Sequence, residues 1–215
     1  MSSVVLRNPN GLSYAVVTLL AGNIAFDALL ALIDVRGLLA DDPFSFDAAV
    51  FGPVDLNVAY GMAFTLFTAT GIVFIVWFHR LRRNAGVWAP DVPSRGPGWA
   101  VGGWFVPIAN LWIPRGIAAE IWRASRPNPH GADGARELTL LNGWWTVWVT
   151  GTVVDRIATA LFGDADTVSA WTTATWWSLA GYLLNIAAAV LAILVVRRLT
   201  SMQHAKATGM IPAAQ

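Results

Sequence analysis

Hydrophobic residues along this chain gather into long uninterrupted runs, and polar residues gather between them. Residues 12–33 (LSYAVVTLLAGNIAFDALLALI) hold one charge, Asp27. Residues 56–78 (LNVAYGMAFTLFTATGIVFIVWF) and 171–196 (WTTATWWSLAGYLLNIAAAVLAILVV) hold none, and 138–162 (LTLLNGWWTVWVTGTVVDRIATALF) hold Asp155 and Arg156. A helix rises about 1.5 Å per residue, so about 20 mainly apolar residues cross a bilayer. Each run therefore predicts a transmembrane helix, with Gly and Thr allowing close approach between helices. The first run follows a single basic residue, Arg7, and no small-x-small cleavage site follows it. That favours an uncleaved signal-anchor helix over a signal peptide.

A fifth apolar stretch breaks the pattern. The uncharged run WAVGGWFVPIANLW covers residues 99–112, only 14 residues. A run of that length is more often re-entrant or interfacial than spanning. Pro107 removes a backbone donor, and Gly102 and Gly103 loosen the chain before it. Residues 99–112 are expected to dip into the cytoplasmic side and return, with their non-helical backbone covered by other helices. Pro114 suits the first turn of a new helix. Along 114–125, Ile117, Ala118, Ile121 and Trp122 share one face, and Arg115, Glu120, Arg123 and Arg126 take the other. This predicts an interfacial helix lying in the membrane plane. The alternative is a fifth, kinked span over 99–122.

Charge orients the helices. Twelve of the 14 basic residues lie before the first run, after the second, before the third long run or after the last. Placing them all in the cytoplasm satisfies the positive-inside rule at every connection. The remaining two loops are mainly acidic, with Asp34, Asp41, Asp42, Asp47 and Asp55 in one and Asp164 and Asp166 in the other. The prediction is a multi-pass protein of the cell membrane with both termini cytoplasmic. Composition agrees: 56% of the 215 residues are hydrophobic, mean hydropathy is +0.54, and charged residues are 13%. Twelve tryptophans suit membrane interfaces. The fold class expected is an all-α membrane protein with four transmembrane helices and a re-entrant or interfacial segment over 99–125. Residues 1–202 form one polytopic domain in this reading. The linker 84–98 and the loop 127–136 should lack regular structure, and 203–215 should be a disordered cytoplasmic tail. Two helical hairpins, each with an aspartate near its outer end (Asp27, Asp155) and an arginine cluster at its close, leave an ancient duplication open.

Four short patterns recur in order: WFHRLRRN at 77–84 (W-F-x-R-x-x-x-N), WFVPIANLWIP at 104–114 (W-F-x-P-x-x-N-L-W-x-P), EIWRAS at 120–125 and LNGWW at 141–145. Together they resemble an actinobacterial family of multi-pass membrane proteins known only as a domain of unknown function. The resemblance covers roughly residues 57–200. It implies a four-helix membrane domain with the broken segment at its centre, and it brings no activity, cofactor or catalytic residue.

The residues themselves offer little chemistry. There is no cysteine, hence no disulfide, thiolate site or cysteine nucleophile. His79, His130 and His204 have no metal-ligand spacing, and no P-loop, GxGxxG or GxSxG occurs. No metal, cofactor or nucleic acid is expected. Asp27, Asp155 and Arg156 are the ionisable residues within the runs; they read as a structural ion pair or as a pathway. Asn110 could fix the turn between its prolines or contact a ligand. Asn23, Asn142 and Asn185 are expected to bond between helices. The leading functional expectation is a non-enzymatic platform that binds lipid, a membrane or cytoplasmic protein, or a second copy of the chain on its cytoplasmic face. Trp104, Pro107, Asn110, Trp112, Arg115, Trp122 and Arg123 are the candidate contact residues. A small oligomeric transporter or channel is the alternative, and a lipid-directed membrane enzyme, lacking an acid/base pair, ranks last.

Overall fold

The computed structural model describes residues 6–40 and 56–209. Of these, 79% are helical, with no strand among them. The helices are α1 (Asn10–Leu38), α2 (Leu56–Trp88), α3 (Trp99–Gly102), α4 (Ile113–Ser125), α5 (Thr139–Gly163) and α6 (Val168–Gly209), and a 3-10 turn covers Ala109–Leu111. α1, α2 and α6 are long and apolar enough to cross a membrane. α5 falls outside that group: Asp155, Arg156 and its Trp and Thr residues interrupt the apolar run. Asp41, Asp42, Asp47 and Asp55 lie outside the described residues.

Helices outrun the apolar runs that predicted them. α2 continues through the arginine cluster to Trp88, ten residues beyond Phe78. α6 continues to Gly209, so residues 203–209 extend a helix where a disordered tail was expected. Neither boundary carries a helix stop: Arg, Leu, Gln, Lys and Ala all propagate a helix well. The residues beyond Gly209 lie outside the described residues.

The chain divides into two compact units. The first comprises residues up to Thr18, Thr70–Gly143 and the chain from Ala192 onward. The second comprises Leu19–Ala69 and Trp144–Leu191. Twelve of the 14 basic residues belong to the first.

The first unit is organised around buried amides. Gln203, 1% exposed, donates from Nε2 to Leu81 O at 3.0 Å and to Ser125 Oγ at 3.4 Å. Its Oε1 accepts from Asn84 Nδ2 at 3.0 Å. Asn84 in turn exchanges hydrogen bonds with the backbone of Arg7, accepting at 3.0 Å and donating at 2.9 Å. Ser125 closes the set by donating to Ile121 O at 2.7 Å. One cluster thus ties α2, α4, α6 and the segment before α1. Trp77 Nε1 donates to Thr200 Oγ1 at 3.1 Å one turn away. Lys206 donates to Ala124 O and Arg126 O, both at 2.8 Å, and so satisfies carbonyls left open at the end of α4. Around these lie Phe78, Leu81, Ile117, Ile121, Leu141 and Leu199, all fully buried.

α4 differs from its expected role. Ile117, Ala118, Ile121 and Trp122 do share a face, but that face is buried in the protein. The loop 127–136 is held too. Arg126 donates to Glu137 Oε2 at 2.9 Å and to the carbonyls of Pro129, Gly131 and Ala132.

Removing one partner of a buried hydrogen bond costs about 1–3 kcal/mol for each group stranded. Gln203→Ala removes the second donor from Leu81 O and from Ser125 Oγ, and leaves one Asn84 amide N–H buried without its partner. It should lower the melting temperature in detergent clearly, whereas His204→Ala, one residue on and exposed, should leave it nearly unchanged. Equal melting of the two variants would remove the amide cluster from this account.

Candidate functional site

Between α3 and α4 the chain makes a hook. Gly103 sits at its base against the start of α4: a Cβ there would stand 2.7 Å from Ile113 Cγ2 and 2.8 Å from Trp99 O. Only glycine allows the two sides of the hook to close. From that base the chain runs out through Pro107 and returns through the 3-10 turn. Ile108, at the tip, has φ 64° and ψ −51°. Ala109 N–H donates to Pro107 O at 2.6 Å. That is a three-residue γ-turn of the strained form, and it places a β-branched residue at positive φ, where such residues are rarely found. Conformations of this kind cost about 1–3 kcal/mol and persist only where the surroundings impose them.

The hook satisfies its backbone locally. Trp104, Phe105, Val106, Ala109, Asn110, Leu111 and Trp112 each donate their N–H to a carbonyl two to four residues earlier. The expectation that other helices must cover this backbone is therefore replaced by internal turns. Asn110 joins through its backbone, donating to Val106 O at 3.0 Å; its side chain makes no hydrogen bond among the described residues. The side chains, by contrast, point outward. Phe105 is 71% exposed, Ile108 70% and Trp112 54%, with Val106 and Leu111 also exposed. A shallow apolar groove of about 270 Å³ runs beside the hook, lined by Gly96, Gly98, Trp99, Gly102 and Val106.

The predicted contact residues therefore separate. Pro107 and Trp112 are on the exposed hook. Trp104 turns inward and packs edge-on against Phe74 and Phe78, with centroids at 5.7 and 5.9 Å. Trp122 is buried and donates to Glu137 Oε1 at 3.0 Å. Arg115 donates to Asn142 Oδ1 at 2.6 and 3.1 Å. Arg123 forms a two-point pair with Asp133, the shortest contact being 2.7 Å. These three support α4 and its flanking loop. Arg82 was read only as one of a basic cluster; it is buried, and its guanidinium donates to Arg95 O. Exposed Ile108 and buried Asn84 and Gln203 were not singled out. The W-F-x-R-x-x-x-N pattern held the signal for Asn84, but nothing local marked Gln203.

In the second unit, Asp155 Oδ2 accepts from Asn185 Nδ2 at 3.0 Å. The expected ion pair with Arg156 is not formed: Arg156 is exposed and pairs with neither Asp27 nor Asp155. Consecutive helix residues point about 100° apart, so Asp155 and Arg156 cannot face each other. Asn185 and Asn142 bond between segments as expected; one hydrogen bond of Asn23 runs to Leu19 O of its own helix at 2.8 Å. No group of three or more His, Asp or Glu side chains among the described residues is placed to hold a metal ion.

Two tests follow from this geometry. Ile108→Gly should raise stability by roughly 1 kcal/mol, because strain relief outweighs the added freedom of the unfolded chain; a lower melting temperature would show that the turn is not strained. The hydrogen bonds from Arg123 hold the Asp133 carboxyl below its usual range, and the Arg123 charge and then those of Arg126 and Arg115 add to this. A depressed folded pKa stabilises above the unfolded value, about 4 for Asp, and that contribution fades as pH falls through the folded value. Asp133→Asn should melt with less sensitivity to acid than the parent over that window; identical acid profiles would count against the pair.

A family model described as a domain of unknown function, DUF4328, matches residues 47–201. No curated protein and no solved structure matches the chain. The matched region contains the hook, α4, the buried Asn84 and all four sequence patterns, and by this match the chain belongs to the DUF4328 family.

Proposed function

We propose that this protein is a non-enzymatic integral membrane protein that crosses the bilayer four times. In this reading both ends are cytoplasmic, and the hook at 99–112 docks into the cytoplasmic lipid boundary. α5 serves as the fourth span despite its lower hydropathy; its Trp and Thr content is compatible with a helix sheltered by neighbours. Segregation of twelve basic residues into the first unit supports a cytoplasmic placement of that unit. Exposed Arg83, Arg95, Arg136 and Arg197 would each gain about 1 kcal/mol near an anionic leaflet.

One observation carries the docking reading: a strained turn holds apolar side chains outward instead of folding them into the core. Water would penalise that arrangement, at about 25 cal/mol per Å² of apolar surface. A lipid boundary removes the penalty. The locally bonded hook backbone supports the same occupant, since few backbone N–H groups are left for lipid to satisfy.

The absence of native cysteine allows a direct test. Phe105→Cys, carrying an environment-sensitive fluorophore in nanodiscs, should be quenched by brominated acyl chains and not by aqueous iodide. Quenching by iodide alone would refute docking into lipid. Shielding from both quenchers in native membrane extracts, lost on purification, would put a protein partner where we place lipid.

A further inference from the structure

The second unit gathers carboxylates without giving them a basic partner. Asp155 is held by Asn185 across α5 and α6. Two glycines open the space: a Cβ on Gly181 would collide with Asp155 Oδ1, and one on Gly151 would stand 3.0 Å from Asn185 Oδ1. Asp27 on α1 lies within Coulombic reach of Asp155. Asp34, two helical turns further along α1, is 9% exposed, and its Oδ2 has no hydrogen-bond partner. Tyr182 on α6 lies near Asp27, Asp34 and the Tyr60 hydroxyl of α2. The bases of this unit, Arg36 and Arg156, are exposed and pair with none of these groups.

Each of the four long helices thus contributes polar groups to this unit: Asp27 and Asp34, Tyr60, Asp155, and Tyr182 with Asn185. An ionised carboxylate at membrane depth is costly and needs a compensating positive charge. No arginine supplies it. The carboxylates do not converge closely enough to share a metal ion. A proton needs no coordination shell, and a buried carboxylate without a positive partner is neutralised by taking one up.

We propose that Asp27, Asp34 and Asp155 are proton-binding carboxyls of this helical unit, with Asn185 holding Asp155. Loading forms one O–H bond at a carboxylate oxygen as one O–H bond of a hydronium ion breaks, with no electron gained or lost. Asn185 donates to Asp155 and leaves its second oxygen open to the proton. This inference rests on the four-span reading and is independent of where the hook docks.

Infrared spectroscopy of the protein in nanodiscs tests it. At pH 7 the unaltered protein should show a protonated-carboxyl carbonyl band that shifts in heavy water. Part of the band should be lost in Asp27→Asn and in Asp155→Asn, and nearly all of it when Asp34→Asn is added to both. A pH 7 spectrum of the unaltered protein with ionised carboxylates only would overturn the site without any variant having to fold. A band that vanishes on exchanging choline for sodium would also overturn it, naming a metal cation as occupant. Cysteine labelling at Ser201→Cys separates this failure from that of the topology: external labelling sinks the four-span reading, and cytoplasmic labelling leaves it standing whatever the spectrum shows.

Discussion

The side-chain amide of Gln203 is the contact on which the first unit depends. Its nitrogen reaches Leu81 O and Ser125 Oγ, and its oxygen takes the Asn84 amide. An apolar residue of the same size would leave one Asn84 amide N–H buried and unpaired, which costs more than a neutral hydrogen bond returns. Helices α2, α4 and α6 are therefore fixed in register by polar atoms, where apolar packing alone would tolerate sliding. The fully buried Leu81, Ile121 and Leu199 then supply most of the contact area around that fixed point.

The hook inherits this rigidity. Its base is clamped where Gly103 meets Ile113, and its inner aromatic, Trp104, is seated on Phe74 and Phe78. Both attachments belong to helices that the amide cluster holds. Anchored at base and flank, the segment has no freedom to tuck Phe105, Ile108 and Trp112 inward. The strain at Ile108 follows from closing the return within so few residues. Proline and glycine thus do different work here: Pro107 breaks the helix, while Gly103 lets its two sides meet.

Much of this was legible from the chain alone, and the rest was hidden for physical reasons. Apolar runs long enough for a bilayer marked the four long helices, and Pro107, Pro114, Gly102 and Gly103 marked the break and the restart. The ends were missed because Arg82, Arg83 and Gln203 change polarity without stopping a helix. The amphipathic face of α4 was visible, but periodicity reports that a face is apolar and not what covers it. Gln203 and Asn84 are separated by 119 positions, so no local signal joins them. The γ-turn lay beyond reach for a different reason: isoleucine is among the last residues expected at positive φ. Asp155 was read with its neighbour Arg156, though helical geometry sends it to Asn185 instead.

Hydrogen exchange of the protein in nanodiscs, comparing the parent with Gln203→Ala, tests the central claim most directly. If the amide cluster holds the hook, loss of Gln203 should speed exchange at residues 104–112 together with residues 120–126, well beyond the site of substitution. Unchanged protection in the hook, with faster exchange confined to α6, would contradict the account and leave the hook as an independent element.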